Sequence, residues 1–284
     1  MPHGDTETLA RELLSAYETG GMVPILPSAR AGFDLDAAYE VEATLKRIRE
    51  AAGVRAVGRK VGYANKAIWR ALKLDTLIWA HMYSDTIHYS ELNFTELALP
   101  HRRSLKIEPE IVFGLKRSVE TEPHEAQSLA AAATLDAAAA LEATAWLALG
   151  FEIIDCPFPD WKFQPSDLVA SFGFHAGLVI GVRVPVPPES IATFAAELPR
   201  FKLRLLKNGE FVEEGSGRNS LKSPALCLAE LGAAILRRFP SEPLRAGEIV
   251  SSGTLTSGHS TDAGDSWTAQ VEGLPLPPLT LRLA

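Results

Sequence analysis

The sequence is poor in cysteine: Cys156 and Cys227 are the only two in 284 residues. Two cysteines cannot build a disulfide framework, and these lack the paired spacing of a zinc site. Both read as small buried apolar residues. A basic face is missing too. Lys and Arg number 28 against 35 Asp and Glu, a formal net charge of −7, which excludes the cationic stripe of a nucleic-acid binder. No run approaches the roughly 18 apolar residues of a membrane span. The opening MPHGDTETLARELLSAYETGG holds no apolar stretch of signal-peptide length. Internal repeats and low-complexity linkers are absent as well. A composition of 46% hydrophobic and 22% charged residues is that of a packed globular protein. The expectation is one large domain, or a small one joined to a larger, in a reducing cytoplasm and away from membranes.

The first third has helical periodicity. Leu9, Leu13, Leu14 and Tyr17 recur at helical spacing, and Gly20-Gly21 ends the run. Asp34 or Asp36 caps a second helix whose stripe is Ala37, Ala38, Val41, Leu45 and Ile48. A third helical piece covers 66–72. Short apolar runs then appear between Gly, Pro and Asn, at 105–113, 150–154, 177–182, 201–206, 211–212, 248–251 and 266–271. These are strand signals. Lys207-Asn208-Gly209-Glu210 predicts a hairpin, since Asn-Gly accepts the positive φ of a type I′ turn. Alanine-rich composition predicts long helices over 125–149 and 225–238. The fold class expected is α+β, a helical N-terminal region (1–75) on a mixed β-sheet domain (76–284).

Ile107-Glu108-Pro109-Glu110-Ile111-Val112-Phe113 is the most informative stretch. Alternate residues of a strand share a face, so Glu108 and Glu110 stand side by side. Carboxylates that close repel unless a proton or cation lies between them. Apolar flanks argue for burial, and buried carboxylates with hard oxygen donors suit Mg²⁺ or Mn²⁺. The alternative is a solvated strand face with two ordinary glutamates. A third acid, Glu152, lies in Gly150-Phe151-Glu152-Ile153-Ile154-Asp155 and shifts the balance toward metal. Asp155 is its rival, although on an extended strand it points away from Glu152. Lys60 is set among Val57, Gly58, Val61 and Gly62, where a lysine is costly unless paired or used.

The order of these motifs resembles the fumarylacetoacetate hydrolase superfamily, in particular its 2-oxo-4-pentenoate hydratase and 4-oxalocrotonate decarboxylase branch. The resemblance covers nearly the whole chain. It is carried by Gly58-Arg59-Lys60-Val61-Gly62, IEPEIVF, FEIIDCPFPDWKF, AGLVIG at 176–181, LKNGEFVEEGSG at 206–217, NSLKSPALCLAEL at 219–231 and LRAGEIVSSGTLTSG at 244–258. It implies a helical N-terminal region on a mixed β-sheet roll and a homo-oligomer. It also implies Mg²⁺ or Mn²⁺ held by Glu108, Glu110 and Glu152, with a small 2-oxo acid chelating the metal. Lys60 is implied in proton transfer or in binding the substrate carboxylate, with Lys162 a second candidate cation. Ser252 and Thr254, in Ser251-Ser252-Gly253-Thr254, and Leu221 are candidate substrate contacts, with a plain strand-to-turn exit the alternative for 251–254.

The sequence departs from that pattern in three places. His81, in Leu77-Ile78-Trp79-Ala80-His81-Met82-Tyr83, occupies the place of an acid. Phe174-His175 replaces a pair of serines. Gly62-Tyr63-Ala64-Asn65 replaces Gly-Leu-Thr-Ser. Histidine can do acid/base work near neutral pH, so His81 and His175 are candidate proton shuttles, each with packed histidine as the alternative. Phe174 fills core or narrows the pocket, and Lys162 could instead snorkel to solvent. A metal-held 2-oxo group stabilises an enolate, which serves hydration, decarboxylation and C–C hydrolysis alike. The expected function is therefore a lyase, hydratase or decarboxylase, on an unsaturated 2-oxo acid from aromatic-compound catabolism. An acylpyruvate or β-diketone hydrolase and a non-catalytic family member are the alternatives.

Overall fold

The computed structural model describes residues 3–99, 103–118 and 137–284. Helix α1 (His3–Thr19) and helix α2 (Leu35–Ala51) pack together, and Asp34 caps α2 by accepting from Ala37 N at 3.0 Å. Ala37, Ala38, Val41 and Leu45 of the α2 stripe are buried as the periodicity predicts and Ile48 is half-buried, but Glu42 and Arg49 are buried with them. Those two charges mark a polar layer under the helix.

Among the described residues fourteen strands follow in chain order: β1 (Ala56–Gly62), β2 (Ile78–Tyr83), β3 (Ile87–Tyr89), β4 (Phe94–Leu97), β5 (Leu105–Leu115), β6 (Thr144–Asp155), β7 (His175–Ile180), β8 (Val184–Pro185), β9 (Lys202–Lys207), β10 (Glu210–Ser216), β11 (Ile249–Ser251), β12 (His259–Ser260), β13 (Ser266–Glu272) and β14 (Leu279–Leu283). The larger sheet runs β2-β1-β11-β5-β6-β7-β3, with β12 and β8 attached to β5 and β6. The smaller runs β10-β9-β13-β14-β4. Both are mixed, since β1–β11, β3–β7 and β14–β4 are parallel and the remaining pairs antiparallel. The Asn-Gly hairpin forms as expected, with Asn208 at φ 52° and Gly209 at φ 87°.

Two expectations change. Of the long helix expected over 125–149, residues 125–136 lie outside the described part, 137–142 are helical (Ala137–Glu142), and 144–149 belong to β6. Alanine favours helix locally, but pairing β6 against β5 over almost its whole length buries both strands between neighbours, and tertiary pairing overrides propensity. The first 75 residues also are not all helical. Beyond α2 the chain enters the larger sheet as β1, whose partner β2 lies across residue 75. Gly58 pins β1 against β11, because a Cβ there would lie 2.0 Å from the Ile249 carbonyl oxygen. The GRKVG motif is thus a central strand, with Arg59 and Lys60 leaving opposite faces.

Candidate metal centre and active-site cleft

Four neighbouring strands, β1, β11, β5 and β6, bring the acids and Lys60 to one face. Glu108 stands directly opposite Glu152 in the β5–β6 register, and Glu110 stands opposite Gly150. Directly opposed residues of an antiparallel pair have Cβ atoms about 5 Å apart. Each of the three glutamates offers an oxygen within 4.8 Å of the others. Glycine at 150 is a packing need, since a Cβ would lie 2.5 Å from a Val112 methyl.

Each carboxylate is held differently. Glu110 accepts from Ser251 Oγ at 2.5 Å and from Gly253 N at 2.7 Å, while its Oε1 is buried without a partner. Gly253 aims that N–H from a turn with φ 87°. Glu152 faces the His175 Nδ1 at 2.8 Å and the Lys60 Nζ at 2.9 Å. His175 Nε2 in turn lies 3.0 Å from Thr86 Oγ1. Lys60 also donates to the Gly173 carbonyl at 3.0 Å. Phe172, Gly173 and Phe174 all have left-handed backbone, which turns that carbonyl onto the lysine. A Cβ on Gly173 would lie 2.6 Å from Lys60 Cδ, so glycine is required there.

The electrostatics show what the cluster needs. Burial, with Glu152 adding, pushes Glu108 up to about 7 against the pull of Lys60 and Lys106. Burial and the other two acids hold Glu110 well above the usual carboxylate range. Burial acts to raise Glu152 too, but Lys60 and His175 outweigh it and keep it low. Burial would lower Lys60, yet Glu152, Glu108 and Glu110 outweigh that and raise it. Burial and the neighbouring acids therefore favour the protonated forms of Glu108 and Glu110 unless another cation takes the protons' place. Three converging carboxylates, with Glu110 Oε1 and Glu152 Oε2 both buried without a hydrogen-bond donor, fit a hard divalent cation.

The cluster opens into a cleft of about 470 Å³. Lys60 and Glu108 lie at its floor, Trp161, Phe163 and Phe174 form an aromatic wall, and Tyr63, Asn65, Asn219 and Thr254 complete the rim. Phe174 both fills core and shapes the wall: its ring meets Phe158, Trp161 and Phe163 edge-on, with centroids 4.6–6.1 Å away. Gly258 leaves room for Glu108, whose Oε1 would stand 3.1 Å from an added Cβ.

The other predicted site residues go elsewhere. His81 pairs with Arg59 in the β1–β2 register, whereas Lys60 pairs with Ala80. His81 therefore leaves the far face of the sheet, where its Nδ1 meets Glu42 Oε1 at 2.5 Å. It lines a separate cleft there with Glu42, Lys46, Arg59 and Trp79. The residue of β2 beside Lys60 is Ala80, so a one-residue offset, which reverses the face in a strand, separates His81 from the acids. Burial would raise Glu42, but His81 and Arg59 outweigh it and lower it. His81→Asn is accordingly expected to leave turnover within about twofold and to lower stability by about 1–3 kcal/mol, the cost of disturbing a buried hydrogen-bonded charge. Steady-state rates and thermal melts check this, and lost turnover at unchanged stability would place His81 in the chemistry.

Lys162 projects into solvent, its side chain 80% exposed beside Asp160. His175 is buried behind Glu152 and orients it. Asp155 is bound by Arg103 at 2.8 and 3.1 Å, so it is committed away from the acid cluster. Ser252 donates to the Ile111 carbonyl, and Leu221 N donates to the Ala64 carbonyl; both brace the walls, while Thr254 lines the cleft. The roles of Glu42, Thr86, Asn219 and Trp161 escape a sequence reading, because each depends on contacts made across the fold.

No family model matches the chain. A 2-keto-4-pentenoate hydratase of Burkholderia vietnamiensis (strain G4 / LMG 22486) is 27% identical over 270 residues, covering 94% of each chain. The solved 4-oxalocrotonate decarboxylase of Pseudomonas putida G7, complexed with magnesium and adipate, superimposes with a TM-score of 0.84 at 21% identity, over 100% of this chain and 99% of that one. A fumarylpyruvate hydrolase of Pseudomonas aeruginosa, in complex with Mn²⁺ and pyruvate, gives 0.56 at 18% identity, over 80% of this chain and 89% of that one. The chain is thus similar over 94% of its length to 2-keto-4-pentenoate hydratases and to a 4-oxalocrotonate decarboxylase of Pseudomonas sp, the latter at 29% identity, and it shares the fold of the solved decarboxylase.

Proposed function

We propose that the protein is a divalent-metal-dependent lyase, a hydratase or decarboxylase, acting on an unsaturated 2-oxo acid from aromatic-compound catabolism. The observation that carries this is the convergence of half-buried Glu108 with buried Glu110 and Glu152, beside Lys60 at the floor of an aromatic-walled cleft. Glu108, Glu110 and Glu152 would hold Mg²⁺ or Mn²⁺. Such an ion supplies a positive centre for the 2-oxo carboxylate head and stabilises negative charge developing on the 2-oxo oxygen.

The chain's own groups do the rest. Lys60 has three donors; one goes to the Gly173 carbonyl, and although the ammonium is also ion-paired with Glu152 at 2.9 Å it keeps donor capacity for the substrate. Its ammonium, at the floor of the cleft, is placed to give a proton to substrate carbon or oxygen and recover it. His175 fixes the orientation of Glu152 through a buried contact, as partners behind a metal ligand do. Phe163 and Phe174 keep water from the conjugated chain. The hydrolase reading needs a Glu–His pair that activates water near the acids. A pair of that kind exists, Glu42–His81, but it lies across the sheet from them.

A homo-oligomer and a cytoplasmic setting belong to the same proposal. Exposed Tyr89, Leu92 and Phe94 support the first by offering apolar surface, and among the described residues no helix is long and apolar enough to cross a membrane. The test is an ultraviolet screen of 2-oxo-4-enoates, oxalocrotonates and acylpyruvates with Mg²⁺ and with Mn²⁺. Loss of conjugation without CO₂ marks hydration, and loss with CO₂ marks decarboxylation. Turnover of acylpyruvates alone would replace the lyase with a hydrolase.

A further inference from the structure

Three charged residues line the cleft: Lys60, Lys106 and Glu108. Lys60 is paired with Glu152, and Glu108 belongs to the acid cluster. Lys106 is different, because among the described residues no carboxylate forms an ion pair with it. Its position is nevertheless well defined. It precedes Glu108 by two residues on β5, so the two side chains leave the same face of the strand. Its Nζ lies 4.1 Å from the centroid of the Trp161 ring. Trp161 is itself fixed, with its Nε1 donating to Ser104 Oγ at 3.1 Å and its ring edge-on to Phe174. Asp160 and Trp161 both have left-handed backbone, φ 56° and 55°, a shape that presents the indole to the cleft. Lys106 is thus held on an aromatic face, half-withdrawn from water, with no anion at ion-pair distance among the described residues.

We infer that Lys106, seated on Trp161, receives a second carboxylate at the far end of the substrate, so that the cleft selects dianionic 2-oxo acids over monoanionic ones of equal length. This rests on the 2-oxo acid reading and adds the residue that reads the other end. The spacing suits it: one two-residue strand step is about 6.6 Å, and four extended carbon–carbon bonds of about 1.5 Å each span about 5 Å, with an ammonium–carboxylate contact still to add. A 2-oxo head placed at Glu108 and Glu110 thus puts the sixth carbon of its chain near Lys106. The Trp161 face limits hydration of the ammonium, which favours a carboxylate over a methyl at that point.

The test uses the full-length protein loaded with Mg²⁺ and two unreactive ligands, 2-oxoadipate and 2-oxohexanoate. They share chain length and 2-oxo acid head and differ only in a terminal carboxylate or methyl. Calorimetric titration is expected to show 2-oxoadipate bound about 10- to 100-fold more tightly, the range for a hydrogen bond to a charged group. Lys106→Met should bring that ratio close to one and leave the affinity for 2-oxohexanoate unchanged. Lys106→Arg should keep most of the preference. Equal binding of both ligands by the unaltered protein, or an equal loss of both in Lys106→Met, overturns the role of Lys106 and leaves the 2-oxo acid reading standing. Binding of neither ligand overturns that reading, and the role of Lys106 with it.

Discussion

Glu110→Gln is expected to weaken Mg²⁺ and Mn²⁺ binding by at least about 100-fold, the loss that disturbing partners behind a metal ligand can already produce. The substitution is chosen for what it preserves. An amide oxygen still accepts from Ser251 Oγ and Gly253 N, so the turn that carries those donors stays satisfied. What disappears is the negative charge and the unpartnered Oε1. Turnover should fall with the metal, by about 10³-fold, since several kcal/mol of transition-state stabilisation depend on the ion and each 1.36 kcal/mol is a factor of ten. Calorimetry on chelator-treated protein reads the affinity and a thermal melt reads the fold. Asp155→Asn is the control, because Asp155 is engaged with Arg103 and should leave metal affinity unchanged. Unaltered affinity in Glu110→Gln, or lost affinity in Asp155→Asn, would reassign the ligands.

Lys60→Met should lower turnover by about 10²- to 10⁴-fold, the contribution of a positioned proton-transfer group, yet tighten Mg²⁺ binding. The two effects separate because Lys60 is both a proton carrier and a competitor of the metal. Its Nζ sits 2.9 Å from Glu152, one of the three acids. Removing that cation leaves the Glu152 carboxylate buried without its lysine counter-charge, so metal-free protein loses stability, and added Mg²⁺ should restore a larger share of it than in the unaltered protein. The Gly173 carbonyl loses its donor in either state. Melts with and without Mg²⁺, alongside steady-state rates, distinguish the contributions. Full turnover in Lys60→Met would make the lysine a structural counter-charge only.

The face shared by Glu108 and Glu110 is legible in the sequence, because strand alternation is a local property of 105–113. That Glu152 stands across from Glu108 is less so, since it requires β6 to pair with β5 in one register out of several. Alternation also carries Lys106, two before Glu108, although a lysine near a strand end looks like ordinary surface until Trp161 arrives from a distant loop. His81 shows the opposite case. Motif position places it beside the acids, while a single-residue offset along β2 puts Ala80 there and turns His81 toward α2. Only packing decides between those faces, and the buried Glu42 under α2 is the deciding partner. Helix over 144–149 fails for a related reason, as alanine content says nothing about a partner strand.

The close approach at Gly58 bears on how the chain avoids misassembly. Arg59 and Lys60 are neighbours of like charge on β1, one for each side of the sheet. A slip by one residue would deliver the guanidinium of Arg59 to the three glutamates. That mispaired state would be electrostatically attractive and chemically dead, because arginine does not give up its proton in proteins. Gly58 stands against it. The 2.0 Å approach to the Ile249 carbonyl admits no side chain, so neither Val57 nor Arg59 can occupy that place. A residue with no functional group of its own therefore decides which of two adjacent cations enters the cleft.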